Sequence, residues 1–261
     1  MRSLGLIWVF LRVNALNELQ YRANFFVQLF QSLIALLTGL AVIGLVFSHT
    51  QSLGGWTHAQ LLCVMGIHII MGGLIGAVIQ PNMIRLMEEI RDGKLDFALT
   101  KPADAQILAS VREVRVWRTV DILLGAIVLA YGLSQLQVGV TPLGTAAFAV
   151  SLALGGLMIY CFWLILTVGA FWIVRMDQIA ELFEGVYQSG RWPVTVYPGW
   201  LRVSLTFLVP IAFAVTVPAE ALTGRLTIET LAVAVVFALV LLVFTRWWWS
   251  FGLKRYSGAS A

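Results

Sequence analysis

The chain has 261 residues, of which 60% are hydrophobic and 11% charged, and its formal net charge is +4. Soluble domains carry about 25% charged residues, so there is too little polar surface here to coat one large globule. The mean hydropathy of +0.89 comes from uncharged blocks of the roughly 20 residues that cross a bilayer. Basic residues sit in short clusters between those blocks, as they do in cytoplasmic loops. A continuous basic stripe with stacking aromatics is missing, which argues against nucleic-acid binding.

In chain order, residues 3–22 read as an amphipathic interfacial helix. Leu4, Trp8, Leu11, Ala15 and Leu19 recur at three- and four-residue steps, with Arg12, Asn14, Glu18 and Arg22 elsewhere on the wheel. The apolar stretch ahead of Arg12 is short, so a cleaved signal peptide is not expected. A first span is predicted over about 25–47, followed by a short external loop with Gly54-Gly55 and an interfacial Trp56 but no Lys or Arg. The second span is predicted over about 61–79. It contains Gly72-x-x-x-Gly76, a small-residue spacing that serves either ordinary helix packing or a dimer face. Further spans are expected at 119–140, within 143–174, and at 230–249, the last ending in Arg246 and three tryptophans.

The interval 175–229 admits two readings. Hydropathy alone selects 203–219 as the fifth span, a block interrupted by Pro210. The other reading puts the span at 177–192 and makes about 200–222 a hairpin dipping in from outside. Nearly all of the 17 Lys and Arg fall inside either way, so charge does not choose. Both readings give six crossings and two cytoplasmic termini.

The segments that carry catalytic chemistry elsewhere are missing. The only Gly-Lys pair, Gly93-Lys94, is followed by Leu95, so there is no phosphate-binding loop, and no H-E-x-x-H occurs. Cys63 and Cys161 lie in separate apolar blocks, where packing is expected rather than metal binding. His68 stands alone in the second span and is expected to be structural. With the uncharged block of the third span counted from about Ile122, no acid is expected inside the apolar blocks apart from Glu181 and Glu184, which weakens the case for an ion-coupled carrier.

The cytoplasmic interval after the second span carries the most pattern. Pro81-Asn82 reads as a helix start. Met83, Leu86, Met87 and Ile90 form an apolar stripe, and Arg85, Glu88, Glu89 and Asp92 a polar one, with Arg85 and Glu89 at i,i+4. Gly93 ends that helix, Lys101-Pro102 blocks continuation, and Asp104 caps the next.

Three blocks then resemble one family in order along nearly the whole chain. They are ELQYRANFF at 18–26, IRDGKLDFALTKP at 90–102 and SGRWPVTVYPGWLRVSLTFLVPIAFAVTVPAEALTG at 189–224. Together they are similar to the ABC type-2 permeases, in particular the ABC-2-like branch. The resemblance implies an all-α integral membrane fold. Six transmembrane helices would join an amino-terminal elbow helix, a cytoplasmic coupling helix over 83–92 and an extracellular re-entrant hairpin before the last span. It favours 177–192 as the fifth span, with Glu181, Glu184 and Gln188 lining a pathway. It further implies an exporter subunit without an active site, in a bacterial cytoplasmic membrane, served by a pair of separate ABC ATPases that hold ATP and Mg. A second permease subunit is implied, more often a sister chain than a copy. Coupling to the ATPase would fall to Arg85, Glu88, Glu89, Arg91, Asp92, Gly93, Leu95 and Asp96. The competing readings are a non-transporting six-helix assembly protein and a secondary transporter; an adjacent gene for a soluble ATPase would separate the first reading from both.

Overall fold

The computed structural model describes residues 22–100, 104–136, 141–172 and 178–256. The expected elbow helix at 3–22 lies outside them except for Arg22, as do the ends of the expected spans at 137–140, 173–174 and 177. Among the described residues the regular structure is helical, with five helices long and apolar enough to cross a membrane. These are α1 (Arg22–His49), α2 (His58–Arg91), α4 (Thr119–Ser134, led by a short 3-10 turn), α5 (Pro142–Val168) and α9 (Ile228–Leu253). Between them lie α3 (Ala105–Ser110), α6 (Ile179–Tyr187) and a pair bent by 80°, α7 (Gly199–Leu208) and α8 (Ala212–Leu222).

Three of the long helices begin on a threonine whose hydroxyl accepts a backbone N–H of the first turn: Thr57 from Gln60, Thr141 from Gly144 and Thr227 from Thr230. Such a cap stabilises a helix by about 1 kcal/mol. Thr57 is part of a full capping box, because the Gln60 side chain accepts the Thr57 amide in return.

The helix expected to start at Pro81-Asn82 does not start there. α2 runs unbroken for 34 residues, about 51 Å at 1.5 Å per residue, well beyond a hydrocarbon core of about 30 Å. It passes Pro81 by means of a π-helical stretch, Ile75–Ile79. Proline has no N–H to give the carbonyl four residues back, which here belongs to Ala77. That carbonyl instead accepts the amide of Arg115 at 2.9 Å. Asn82, expected as a cap, is buried and holds the same loop. Its Nδ2 donates to the Val78 and Glu113 carbonyls, and its Oδ1 accepts the amides of Arg112 and Glu113, each at 2.8 Å or less. The helix ends at Gly93, whose φ of 68° is left-handed.

α2 and α4 form the tightest pair. Gly66 and Gly73 of α2 face α4, and Gly125 and Gly132 of α4 face α2, each pair seven residues apart. A Cβ added at Gly66 would lie 2.6 Å from the Leu129 amide, and one at Gly125 would lie 2.7 Å from the Gly66 carbonyl. This is the close backbone approach that small residues permit in membranes. Gly72 and Gly76 do not take part; they face the Tyr187 ring and the Arg118 side chain.

Two ends of the bundle can be traced through contacts. At one end, the turn Gly54-Gly55 has both φ positive, at 57° and 81°, which brings Trp56 back under the loop. Trp56, expected at an interface, is fully buried. Its Nε1 donates to Thr195 Oγ1 at 2.9 Å, and the Arg225 guanidinium lies 4.4 Å above its ring while donating to the Gly55 carbonyl. At the other end, Arg246 of α9 pairs with Asp104, Trp172 stacks on Trp248, and Tyr256 Oη accepts the Leu95 amide.

Trp172 thus lies at one of these ends and Thr195 at the other. The interval expected as the fifth span, 177–192, holds α6, which at 9 residues is below spanning length, and a 3-10 turn over Gln188–Arg191. It lies along α2, where Tyr187 Oη donates to the His68 carbonyl and Gly190 abuts His68. The bent pair starts and finishes at the Trp56 end. Its apex, Val209-Pro210, lies beside residues 213–214, whose backbone packs against Gly155, 13 residues into α5 or about 20 Å along it. The Val209 amide reaches Ser204 O at 3.0 Å and the Pro210 carbonyl accepts from Ala214, so the break is internally bonded, as a non-helical stretch in lipid must be.

Gly125→Ala is expected to push α2 and α4 apart and destabilise the fold by about 1–3 kcal/mol. Gly44→Ala, with nothing within 4 Å, should leave thermal unfolding in detergent unchanged. Equal transition temperatures would show that the glycine contact is not needed.

Candidate functional site

A cavity of about 200 Å3 lies among α1, α2, α4 and α6. Its walls are mostly apolar, but polar groups converge on it from all four helices: Ser32, His68, Arg118, Asp121, Glu184 and Arg191 among them. Ala35, Val42 and Glu184 are exposed at its rim, so it opens sideways between α1 and α6. A polar hollow at this depth in a membrane protein marks a functional site more often than a packing fault.

Asp121 is the buried acid that sequence reading left out of account. It sits in the first turn of α4, 8% exposed, with three partners. Arg118 Nη1 donates to it at 3.2 Å, Gln28 Nε2 at 3.0 Å, and the Ser32 hydroxyl forms a short hydrogen bond. Two of those partners come from α1, some 90 residues earlier, so no local pattern announces them. The pair Arg118–Asp121 is neutral as a unit, which is how a charge is tolerated away from water.

The acids expected on one stripe of α6 separate in the structure. Glu184 and Gln188 line the cavity, with Gln188 Nε2 donating to Glu184 Oε1 at 2.6 Å. Glu181 is exposed and is not among the lining residues. His68 is 6% exposed, stacked on Tyr187 with ring centroids 4.5 Å apart. It lines the cavity from α2.

The expected coupling residues gather at the far tip of α2. Met83, Leu86, Met87 and Ile90 are buried against the chain's own core. Of the charged residues there, Arg85, Glu88, Arg91 and Asp92 are exposed. Glu89 is engaged inward: Arg112 Nη1 donates to both of its oxygens, at 2.9 and 2.8 Å, and Arg85 reaches it at 3.2 Å. Hydrogen bonds from Lys94, then Arg91, hold the Asp92 carboxyl below the usual carboxylate range. Leu95 is fully buried and its amide is fixed by Tyr256; Asp96 is half-buried.

A physical link joins tip and cavity. The loop 112–118 is tied to α2 at Asn82, Ala77 and Glu89, and its last residue is Arg118, the partner of Asp121 in the cavity wall.

These features define a multi-span helical membrane protein with a lateral polar cavity and a rigid helix projecting from it. A profile of the ABC-2 family transporter proteins matches residues 33–260, most of the chain, and the chain belongs to that family. Its members are typically non-catalytic membrane subunits, and membership implies an ABC ATPase as partner. No curated protein and no solved structure matches the chain.

Removing the clamp should be visible locally. Asn82→Ala removes the acceptor of the buried Arg112 amide, at about 1–3 kcal/mol, and that of the partly buried Glu113 amide. Hydrogen exchange at those two amides is expected to rise by about tenfold or more. Unchanged exchange would mean that the loop is held without Asn82.

Proposed function

We propose that this chain is the membrane-spanning permease subunit of an ATP-binding-cassette exporter in a bacterial cytoplasmic membrane. A separate pair of ATPases binds ATP and Mg and supplies the energy. The observation that carries this reading is the continuity of α2, whose 34 residues join a cavity wall to an exposed charged tip. A rod of that kind transmits a push at the tip to the cavity, and the clamped loop delivers the same displacement to Arg118–Asp121. ATPase docking on the tip biases the cavity only if the contact differs between two states.

The topology in this reading has six crossings, both termini cytoplasmic and α7–α8 as a hairpin re-entering from outside. The Trp56–Thr195 and Arg225–Gly55 bonds support it, since both feet of the hairpin meet the loop that lacks Lys and Arg. The exposed side of α6 supports a second permease. It carries Glu181 and Glu184 beside Leu182 and Val186, and ionised groups at that depth need protein or water, not lipid, against them. A sister chain is the favoured occupant, and a pathway running between the two permeases would pass the Glu184–Gln188 side of the cavity.

Two measurements test this. Glu88→Lys with Asp92→Lys reverses two exposed charges and leaves the Glu89–Arg112 bond in place. The variant is expected to insert normally and to lose most of its ATPase in co-purification; full retention would remove the tip from the docking surface. For topology, the buried Cys63 and Cys161 are replaced and single cysteines put at Gly199 or Arg91. A membrane-impermeant thiol reagent on intact cells should label position 199 and not 91. Labelling of 199 only in opened cells would restore 203–219 as a complete span.

A further inference from the structure

We propose that the cavity between α1 and α6 takes a zwitterionic headgroup, with the anionic group on Arg191 and the ammonium on Glu184 and Gln188. The inference deepens the permease reading and rests on the cavity being part of its pathway.

Four charged side chains line the cavity: Arg118, Asp121, Glu184 and Arg191. The first two neutralise each other at 3.2 Å, which leaves one charge of each sign. Among the described residues, no carboxylate lies within ion-pairing distance of Arg191, and its guanidinium makes no hydrogen bond. Glu184 likewise meets no cation among them; its one hydrogen bond comes from the neutral Gln188.

Unpaired charges that line a cavity in a membrane protein persist where a ligand or a polar surrounding answers them. An anionic ligand would satisfy Arg191 and be repelled by Glu184, and a cationic one would do the reverse. A ligand carrying both charges answers both. Gln188 adds direction, because its Oε1 is buried without a partner while its Nε2 is committed to Glu184. The free valence beside Glu184 is therefore an acceptor, which suits the several N–H donors of an ammonium. Arg191 presents a donor fork suited to the paired oxygens of a phosphate or carboxylate.

The spacing is compatible with one ligand. Glu184 to Gln188 is one α-helical turn, about 6 Å of rise, and Gln188 to Arg191 is one 3-10 turn, again about 6 Å. Long side chains at both ends close part of that gap. The cavity volume of about 200 Å3 is below the 300–1,000 Å3 usual for drug-sized ligands, so it suits a headgroup rather than a whole amphiphile. The lateral opening at Ala35 and Val42 leaves an attached apolar tail in the bilayer, along the exposed Ile34, Leu37 and Val42 of α1.

The test uses the full chain purified with its partner subunits in detergent. Phosphatidylethanolamine or phosphatidylglycerol is added, and retention is read by native mass spectrometry. The zwitterionic lipid is expected to be retained about tenfold better, the ratio that about 1.4 kcal/mol produces. Glu184→Gln should abolish that preference, Arg191→Gln should lower retention of both lipids, and Glu181→Gln, outside the cavity, should change neither. Water-soluble phosphoethanolamine separates the sources. Competition with the lipid supports recognition of a free zwitterion as well, and its absence supports a bilayer lipid. Equal retention of the two lipids overturns the proposal, as does a preference that survives both Glu184→Gln and Arg191→Gln. The α2-tip reversal tests the permease reading by a different readout, so either idea can fail with the other intact.

Discussion

Proline at position 81 cannot supply an amide to the carbonyl of Ala77, and much of the cytoplasmic half of the molecule follows from how that vacancy is filled. The π-helical stretch widens the helix just before the proline, and the Arg115 amide occupies the free carbonyl from outside. With Asn82 one residue further on, the loop 112–118 is held to α2 by backbone and side chain together. A helix that would otherwise end becomes a rod of 34 residues, about three times the mean soluble length, and the loop becomes part of it. Arg118, at the end of the loop, then reaches Asp121.

The glycine contact between α2 and α4 works in the same direction. Lipid offers no hydrophobic drive for helices to associate, so close packing must do it. Two backbones in near contact leave little room to slide, and the pair moves as one body. The cavity therefore has one firm wall, made by α2 and α4. Its other walls, α1 and the nine-residue α6, are more exposed and more lightly packed.

Much of the fold was legible in the sequence because uncharged runs of sufficient length have few alternatives. The bent pair was legible too, through Pro210 in the middle of an otherwise apolar block. What escaped depended on partners far away in the chain. Pro81-Asn82 has the local features of a helix start, and only the amides of residues 112–115 make it an interior position. Asp121 resembled a boundary residue because Gln28 and Ser32, which hold it, lie in the first span. The seven-residue glycine spacing carries no stronger local signal than the four-residue one at Gly72 and Gly76, whose faces meet Tyr187 and Arg118. Glu89 could not be told from Glu88, since neither shows in sequence which one Arg112 will claim.

Trp56 gives the bent pair an unusual mechanical character. One indole holds Thr195 at the start of the segment through its nitrogen and Arg225 at its finish through its ring face. The feet are thus pinned at nearly the same point, while the apex reaches about 20 Å along α5. A body fastened this way is held at its feet by one side chain and along its second limb by the close approach of residues 213–214 to Gly155. Because Ile211 touches Gly190, any displacement of that limb would press on the turn that carries Arg191.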